Sequence, residues 1–391
     1  MILNHGQEVC AKRFLRWWKR KNFIDEPTFE ITGAAGTGKT TLVRYLIEEI
    51  GLTFKEVIFM AYVGKATLAL AKQGLPAQTI HSAICDISYV TVKDSKGKPL
   101  RDPDGKKITR VVFSKKEFLP EHIRLLVVDE GRMVPEDLAE WILSYHIPVI
   151  VLGDLNQLDP VMGDPYFLNK PDARLTEIMR QAKDSPIPYL AKKVIDGRPL
   201  MVGTDGDGKI NIVSEANESE VDLLGSDVII CRRNKTRISI NDYIRLFLKK
   251  FDTKEPMVGD KIICRKNNWD RFNHDNVPLV NGMIGYITDI DYEHMTKYKM
   301  PFDFQPEDFD SFLGVLMDRK LFNLIGTDTS MMKTNYDIFE YGYAITCHLA
   351  QGSQYNSVIV KLENSGWQSK NSRKWLYTAV TRAIDRLTII L

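Results

Sequence analysis

Residues Gly33 to Thr40 read Gly-Ala-Ala-Gly-Thr-Gly-Lys-Thr, a full match to G-x-x-x-x-G-K-[ST]. Few runs of eight residues constrain a chain so tightly. The backbone N–H groups of such a loop converge on phosphate oxygens only where a strand runs into a helix whose N-terminus faces the ligand. The flanks meet that demand: Phe29 to Thr32 predicts a strand, and about Lys39 to Ile50 a helix. A chance glycine-rich turn needs neither flank. Lys39 is then the side chain that reaches the β- and γ-phosphates, and Thr40 a ligand of Mg²⁺. Gly33, Ala34, Ala35, Gly36, Thr37, Gly38 and the adjoining Thr41 surround the nucleotide. The expected ligands are ATP and Mg²⁺.

A phosphate-binding loop hydrolyses nothing without a carboxylate site. Leu125-Leu126-Val127-Val128-Asp129-Glu130 puts an acidic pair at the end of an apolar strand. Asp129 is placed to hold Mg²⁺ and Glu130 to polarise the attacking water. After the next apolar run, Gly153-Asp154-Leu155-Asn156-Gln157 brings Gln157 to a strand end, where ligands of open α/β sheets bind. Arg180 and Arg382 are candidates for stabilising transition-state charge, although an arginine is more often a surface ion-pair residue.

Buried-type strands at Glu56 to Ala61, Leu125 to Val128 and Val149 to Leu152 alternate with helical patterns, which predicts a parallel sheet. Val228 to Ile230, Tyr343 to Thr346, Val358 to Leu362 and Leu387 to Leu391 predict a second, with helices near Asn241 to Lys250 and Lys374 to Arg382. The fold class expected is α/β with two such units and two insertions. One insertion is a hairpin, Ser88 to Val92 with Ile108 to Val112, whose long irregular tip holds Gly97, Pro99, Pro103 and Gly105. Lys93 to Glu117 carries nine basic and four acidic residues. The other insertion is all-β, with strands at Asp260 to Lys266 and Ile284 to Ile290 and a turn at Asn281-Gly282. No internal repeat stands out.

With 391 residues, 44% of them hydrophobic, the chain is long enough for several cores. Its formal charge of +2 leaves nucleic-acid binding to local patches. Five scattered cysteines form no C-x-x-C pair, and the seven histidines lack ligand spacing, so neither a disulfide framework nor a zinc site is expected. No membrane-length apolar run or signal peptide is evident. The expectation is a soluble, cytoplasmic chain of a reducing compartment (the host's, if phage-encoded), monomeric and without a membrane partner.

Taken together, the motifs resemble superfamily 1 helicases of the 5′→3′ subgroup, in particular the RecD-like and phage Dda-like enzymes. The likeness spans the chain in family order. Leu3 to Gln7 is similar to the Q motif, Gly33 to Thr40 to motif I, and Gly64-Lys65-Ala66 through Thr79-Ile80-His81 to motif Ia and its continuation. Asp129-Glu130 corresponds to motif II, Gly153 to Gln157 to motif III, Leu175 to Gln181 to motif IV, His348 to Gly352 to motif V and Tyr377 to Ala383 to motif VI. The resemblance implies two RecA-like domains of P-loop NTPase type, with ATP between them. The first is residues 1–85 and 118–180, the second 181–255 and 338–391. A strand-separating β-hairpin pin lies at 86–117 and an SH3-like β insertion at 256–337.

It also implies that Gln7 reads adenine, that Arg382 is an arginine finger, and that Lys65, Thr79, His81, His348 and Gln351 touch the strand. Tyr89 and Phe113 are candidate wedges on the pin, or equally braces of it. Motif V departs from the family's His-Lys-Ser-Gln-Gly-x-Glu: Leu349, Ala350 and Gln354 replace a lysine, a serine and a carboxylate, which bears on strand contact. The activity implied is ATP-dependent 5′→3′ unwinding of DNA in replication, repair or recombination. Its partners are single-stranded and forked duplex DNA, with a single-stranded-DNA-binding or replication protein as a further candidate. A translocase that strips proteins without unwinding, and a P-loop kinase or signalling NTPase, are the alternatives.

Two other features have plain readings. Lys12 to Lys21 mixes cations with aromatics, but Phe14, Leu15 and Trp18 at three-to-four spacing predict an amphipathic helix packed by these residues on the first unit. Phe302, Phe304, Phe309 and Phe312 among acids predict a small core more than a docking surface.

Overall fold

The computed structural model describes residues 2–159, 164–178, 185–205, 207–323, 334–363 and 369–391. Two six-stranded sheets organise it. The first runs Ala77–Thr79, Val57–Ala61, Leu125–Asp129, Val149–Gly153, Thr28–Gly33 and Ala173–Leu175, all parallel. The second runs Ala344–Thr346, Val228–Cys231, Tyr355–Lys361, Ala383–Ile390, Ile210–Val213 and Gly203–Thr204, parallel except for the last strand. In the first, the P-loop strand Thr28–Gly33 lies between Val149–Gly153 and Ala173–Leu175, both distant in sequence, as crossover connections require.

The apolar runs form strands because both faces are covered. Phe29, Ile31, Phe59, Val127 and Ile150 pack with Phe14, Trp17, Leu42 and Leu46 on one face. The alternate residues Met60, Leu126, Val128 and Val151 pack with Ile80, Ile84, Leu138 and Ile142 on the other. Helix His5–Arg20 thus sits on the first sheet as expected, anchored by Phe14 and Trp17, while Leu15 and Trp18 are only half-buried. The second sheet repeats the pattern. Ile230, Val360 and Ile389 face helices Ile187–Ile195 and Lys370–Val380, and Ile229, Ile359 and Ile390 face the β insertion.

That insertion is built on a five-stranded antiparallel sheet, ordered Phe312–Asp318, Lys299–Pro306, Ile284–Ile290, Lys261–Cys264 and Phe339–Tyr341, the last strand coming from just beyond the expected boundary at 337. Phe302, Phe304 and Phe312 are its buried core. A charged joint fixes it to the second unit. Arg245 donates to both oxygens of Asp260, at 2.8 and 2.9 Å, and to the carbonyls of Thr253 and Glu255. Tyr343 Oη donates to the same carboxylate at 3.0 Å. Arg237 bonds Glu340 at 2.9 Å, and Arg265 shares that acceptor. The helix expected at Asn241 to Lys250 is shifted: it spans Asn234–Tyr243 and passes into a π turn at Ile244–Leu248, which turns Arg245 inward to this joint. The helix expected at Lys374 to Arg382 starts earlier, at Lys370, capped by Ser369, and ends at Val380.

The pin differs most from expectation. Its stem, Cys85–Thr91 against Thr109–Lys115, is a regular antiparallel pair. Above it the chain forks. Leu100 N–H donates to Val92 O (2.8 Å), Ile108 N–H to Leu100 O (2.9 Å) and Val92 N–H to Ile108 O (2.9 Å), a closed ring of three peptide groups. Two tight turns leave this ring. In one, the Asp94 carboxylate accepts the N–H groups of Lys96 and Lys98; in the other, Asp102 accepts those of Asp104 and Lys106. Gly97 and Gly105 take φ +80 at equivalent places. The tip is therefore ordered. It carries an eight-residue repeat, Val92-Lys-Asp-Ser-Lys-Gly-Lys-Pro and Leu100-Arg-Asp-Pro-Asp-Gly-Lys-Lys, which corrects the reading of an irregular tip without repeats.

Among the described residues no helix is long and apolar enough to cross a membrane. Asp260→Ala leaves the buried Arg245 guanidinium unpaired and should destabilise the insertion joint by ~3–5 kcal/mol. A lowered urea midpoint with an unchanged first-unit signal is the expected result; an unchanged midpoint contradicts it.

Candidate nucleotide cleft and the hairpin beside it

Thr28–Gly33 delivers the loop, and Gly38, at φ +76, caps helix Lys39–Glu49 without a side chain. A Cβ on Gly33 would lie 2.6 Å from Thr37 Oγ1, so the strand end admits only glycine. Lys39 Nζ donates to the loop carbonyls of Gly33 and Ala34 at 2.6 and 3.1 Å. The loop thus holds its cation in place. Thr40 is half-buried and Thr41 exposed. Gln7 is buried beside the loop: its Nε2 donates to Thr37 O (3.3 Å), and its Oε1 accepts Asn4 N–H in the helix capping box.

Asp129 ends the strand two places from the P-loop strand. Burial pushes its carboxyl above the usual range, and nearby Lys39 pulls it back. Glu130 stands at φ +51, a left-handed conformation that aims it off the strand end. Burial raises its carboxyl too, Asp129 and Asp154 add to this, and Arg382 and Lys39 oppose it. Two crowded carboxylates with limited cationic compensation suit a divalent cation, so the donor set fits Mg²⁺ held by Asp129 and Thr40. Arg382, from the second unit, thus acts on the same carboxylate as Lys39 from the first. It is buried, with its guanidinium positioned by Thr378 O, Ser353 O and Thr381 Oγ1. Arg180 lies outside the described residues.

The loop after Val149–Gly153 makes the seam between the units. Tyr377 Oη donates to Asp154 Oδ2 at 2.6 Å, and Leu158 N–H donates to Thr378 Oγ1 at 2.9 Å. Gln351 Nε2 donates to Leu158 O at 3.3 Å. Asp159 accepts from Arg132 on one side and from Lys374 Nζ, 2.8 Å away, on the other. Gln157 is buried within this loop. Sequence reasoning passed over Tyr377, Thr378, Lys374, Asp159 and Arg132. A signal existed: Lys374, Tyr377, Thr378 and Thr381 fall at three-to-four spacing, one face of one helix.

Residues expected on the strand path are scattered along the cleft's other edge. Lys65 donates to Tyr355 Oη at 3.0 Å, again across the units. Helix Gly64–Lys72 is pressed close: a Cβ on Gly352 would sit 3.1 Å from Ala66 Cβ, and one on Gly64 3.1 Å from Val280 Cβ. Thr79 is buried and caps helix Ile80–Ile84, which carries half-buried His81. His348 is exposed and Gln351 buried in the seam. Phe113 packs tilted against His81, ring centroids 4.5 Å apart, at the base of the pin, and Tyr89 Oη donates to Asp270 at 2.8 Å. Both are anchored, so the geometry favours bracing over wedging.

The pin also meets the β insertion. Lys299 Nζ bonds both oxygens of Asp104 (2.8 and 2.7 Å), Tyr336 Oη bonds Asp104 (2.9 Å) and Asn335 Nδ2 bonds Asp102 (2.8 Å).

A P-loop sheet with a second sheet closing over it is the architecture of a nucleic-acid motor ATPase. Family comparison agrees: an AAA domain matches residues 21–215, and a UvrD-like helicase C-terminal domain matches 341–390. The chain is 27% identical over 384 residues to the ATP-dependent RecD2 DNA helicase of Deinococcus radiodurans, covering 91% of this chain and 46% of that protein. It is 28% identical over 299 residues to the ATP-dependent DNA helicase dda of Enterobacteria phage T4, covering 67% of this chain and 63% of that one. It thus spans about half the length of the first and under two thirds of the second. A solved structure from work on DNA unwinding at forked dsDNA by two coordinating Pif1 helicases matches in fold. Its TM-score is 0.57 at 17% identity, covering 100% of this chain and 92% of that one. The chain is thus similar to these helicases along most of its length, with an AAA domain followed by a UvrD-like helicase C-terminal domain.

Tyr377→Phe removes a buried hydrogen bond to a carboxylate, a contact worth ~1.5–3 kcal/mol. If that bond holds the units together, nucleotide binding persists while steady-state ATPase falls about tenfold. Unchanged turnover would mean the seam is held elsewhere.

Proposed function

We propose that this chain hydrolyses ATP to move 5′→3′ along single-stranded DNA and separates a duplex at its hairpin. One observation carries the reading: the loop that follows Val149–Gly153 of the P-loop sheet bonds to the helix of the second unit that leads into Arg382, through Tyr377 to Asp154 (2.6 Å) and Leu158 to Thr378 (2.9 Å). A site divided between two units links its chemistry to their approach. The division that goes with it is 1–85 with 118–180, the pin 86–117, 181–255 with 338–391, and the insertion 256–337.

In this reading Lys39 and the loop N–H groups bind the β- and γ-phosphates, and Gln7, held beside Thr37, reads adenine. Glu130 accepts the proton of the attacking water, and its raised affinity for protons suits it to that task. Gln157 orients the water, and Arg382, with Arg180 from motif IV, stabilises the charge that builds on transfer. Thr40 and Asp129 would hold Mg²⁺, which when bound would neutralise phosphate charge. Lys65, His81 and His348 contact the strand directly, whereas buried Thr79 and Gln351 act through the elements they fix. Because Lys65, Gln351, Asp154 and Asp159 all bond across the seam or beside it, a change of nucleotide state alters the strand groove as well. The chain works as a monomer in this account.

Lys39→Ala should abolish ATPase, and Arg382→Ala should lower single-strand-stimulated kcat by ~10³-fold or more while ATP still binds. Steady-state hydrolysis by Lys39→Ala contradicts the reading. Asp104→Ala frees the pin from Lys299 and Tyr336; duplex unwinding should fall severalfold with stimulated ATPase kept, and equal unwinding would show the strut to be idle.

A further inference from the structure

The two turns at the pin tip share one backbone pattern but not one surface. The turn at 102–105 carries Asp104 where the other carries Lys96, and that aspartate binds Lys299 and Tyr336 of the insertion. The turn at 94–97 makes no side-chain hydrogen bond or ion pair with another element among the described residues. Lys93, Asp94, Ser95, Lys96, Gly97 and Lys98 are all exposed, and the three ammonium groups make no hydrogen bond or ion pair among the described residues. Asp94, the one acid, is occupied by the N–H groups of Lys96 and Lys98. The ring of Val92, Leu100 and Ile108 fixes both prongs to one stem, so docking the prong that carries Asp104 sets where the other stands.

We infer that this free prong is a binding site for the phosphate backbone of double-stranded DNA ahead of the point of separation; the inference rests on the helicase reading above. Charge complementarity argues for phosphate: three exposed lysines, without an ion-pair partner among the described residues, lie within residues 93–98. The composition argues against unpaired bases. Residues 92–110 contain no aromatic side chain, and the nearest two, Tyr89 and Phe113, are committed to Asp270 and His81. A turn that cannot stack bases binds nucleic acid through its backbone, without reading sequence. The prong therefore holds the duplex against the stem while the motor draws one strand away. It is a grip placed beside the blade.

The test is the triple variant Lys93→Ala, Lys96→Ala, Lys98→Ala in the full chain. Affinity is measured on a 5′-tailed fork and on the tail strand alone, across a salt series. Fork affinity should fall ~5-fold or more, and its log–log salt dependence should become shallower by about 2 to 3, near 0.9 per lost phosphate contact. Tail-strand affinity and tail-stimulated ATPase should stay within about twofold, which also reports an intact fold. Lys96→Glu alone should weaken the fork in the same direction. Unchanged fork affinity and salt slope overturn the inference, as does an equal loss on fork and tail, which would make the prong a single-strand contact. If the unaltered chain shows no stimulation by single strands, the motor reading fails, and the prong is still judged by its duplex affinity.

Discussion

The structure turns on one carboxylate. Glu130 is half-buried, with Asp129 and Asp154 adding to the cost of its charge, and the two cations that oppose this come from different units, Lys39 from the first and Arg382 from the second. Separating the units would take Arg382 away from it. A charge balance of this kind makes the seam an electrostatic requirement as well as a packing one. The seam residues respect it: Asp154, Leu158 and Asp159 meet Tyr377, Thr378 and Lys374 over a single turn of helix.

From that seam the other parts take their positions. Helix Gly64–Lys72 follows the strand beside the acidic strand and reaches the insertion, where Lys72 pairs with Asp308 at 2.7 Å. The pin, rooted in the first unit, reaches the same insertion through Asp104. The insertion is in turn welded to the second unit by Arg245 and Asp260. A closed circuit of contacts thus runs from the cleft to the pin and back. Any hinge movement at the cleft has a mechanical path to the tip.

Much of this was legible in the chain. Gly33 to Thr40 and Asp129-Glu130 carry their chemistry in local sequence, so their strand, loop and helix could be placed before any contact was known. The doubly buried strands announced themselves through uninterrupted β-branched runs. What stayed hidden was tertiary. Arg245 and Asp260 look like two surface charges until a π turn brings one inward. Tyr377 looks like core until Asp154 is seen beneath its hydroxyl. The forked tip escaped because its ring is made of backbone groups eight residues apart, which no side-chain pattern advertises. The repeat that marks it is blurred where Ser95 and Lys96 answer to Pro103 and Asp104. Gln351 shows the converse: its motif suggested a strand contact, and burial placed it in the seam.

The central claim is that the divided cleft drives directional movement toward the pin. Forks of equal duplex length bearing either a 5′ or a 3′ single-stranded DNA tail test it most directly, with unwinding followed under single-turnover conditions in ATP and Mg²⁺. The account predicts that the 5′-tailed fork is opened and the 3′-tailed one is not. Opening of the 3′-tailed fork alone, or of neither while ATP is hydrolysed in response to the tail, would contradict it.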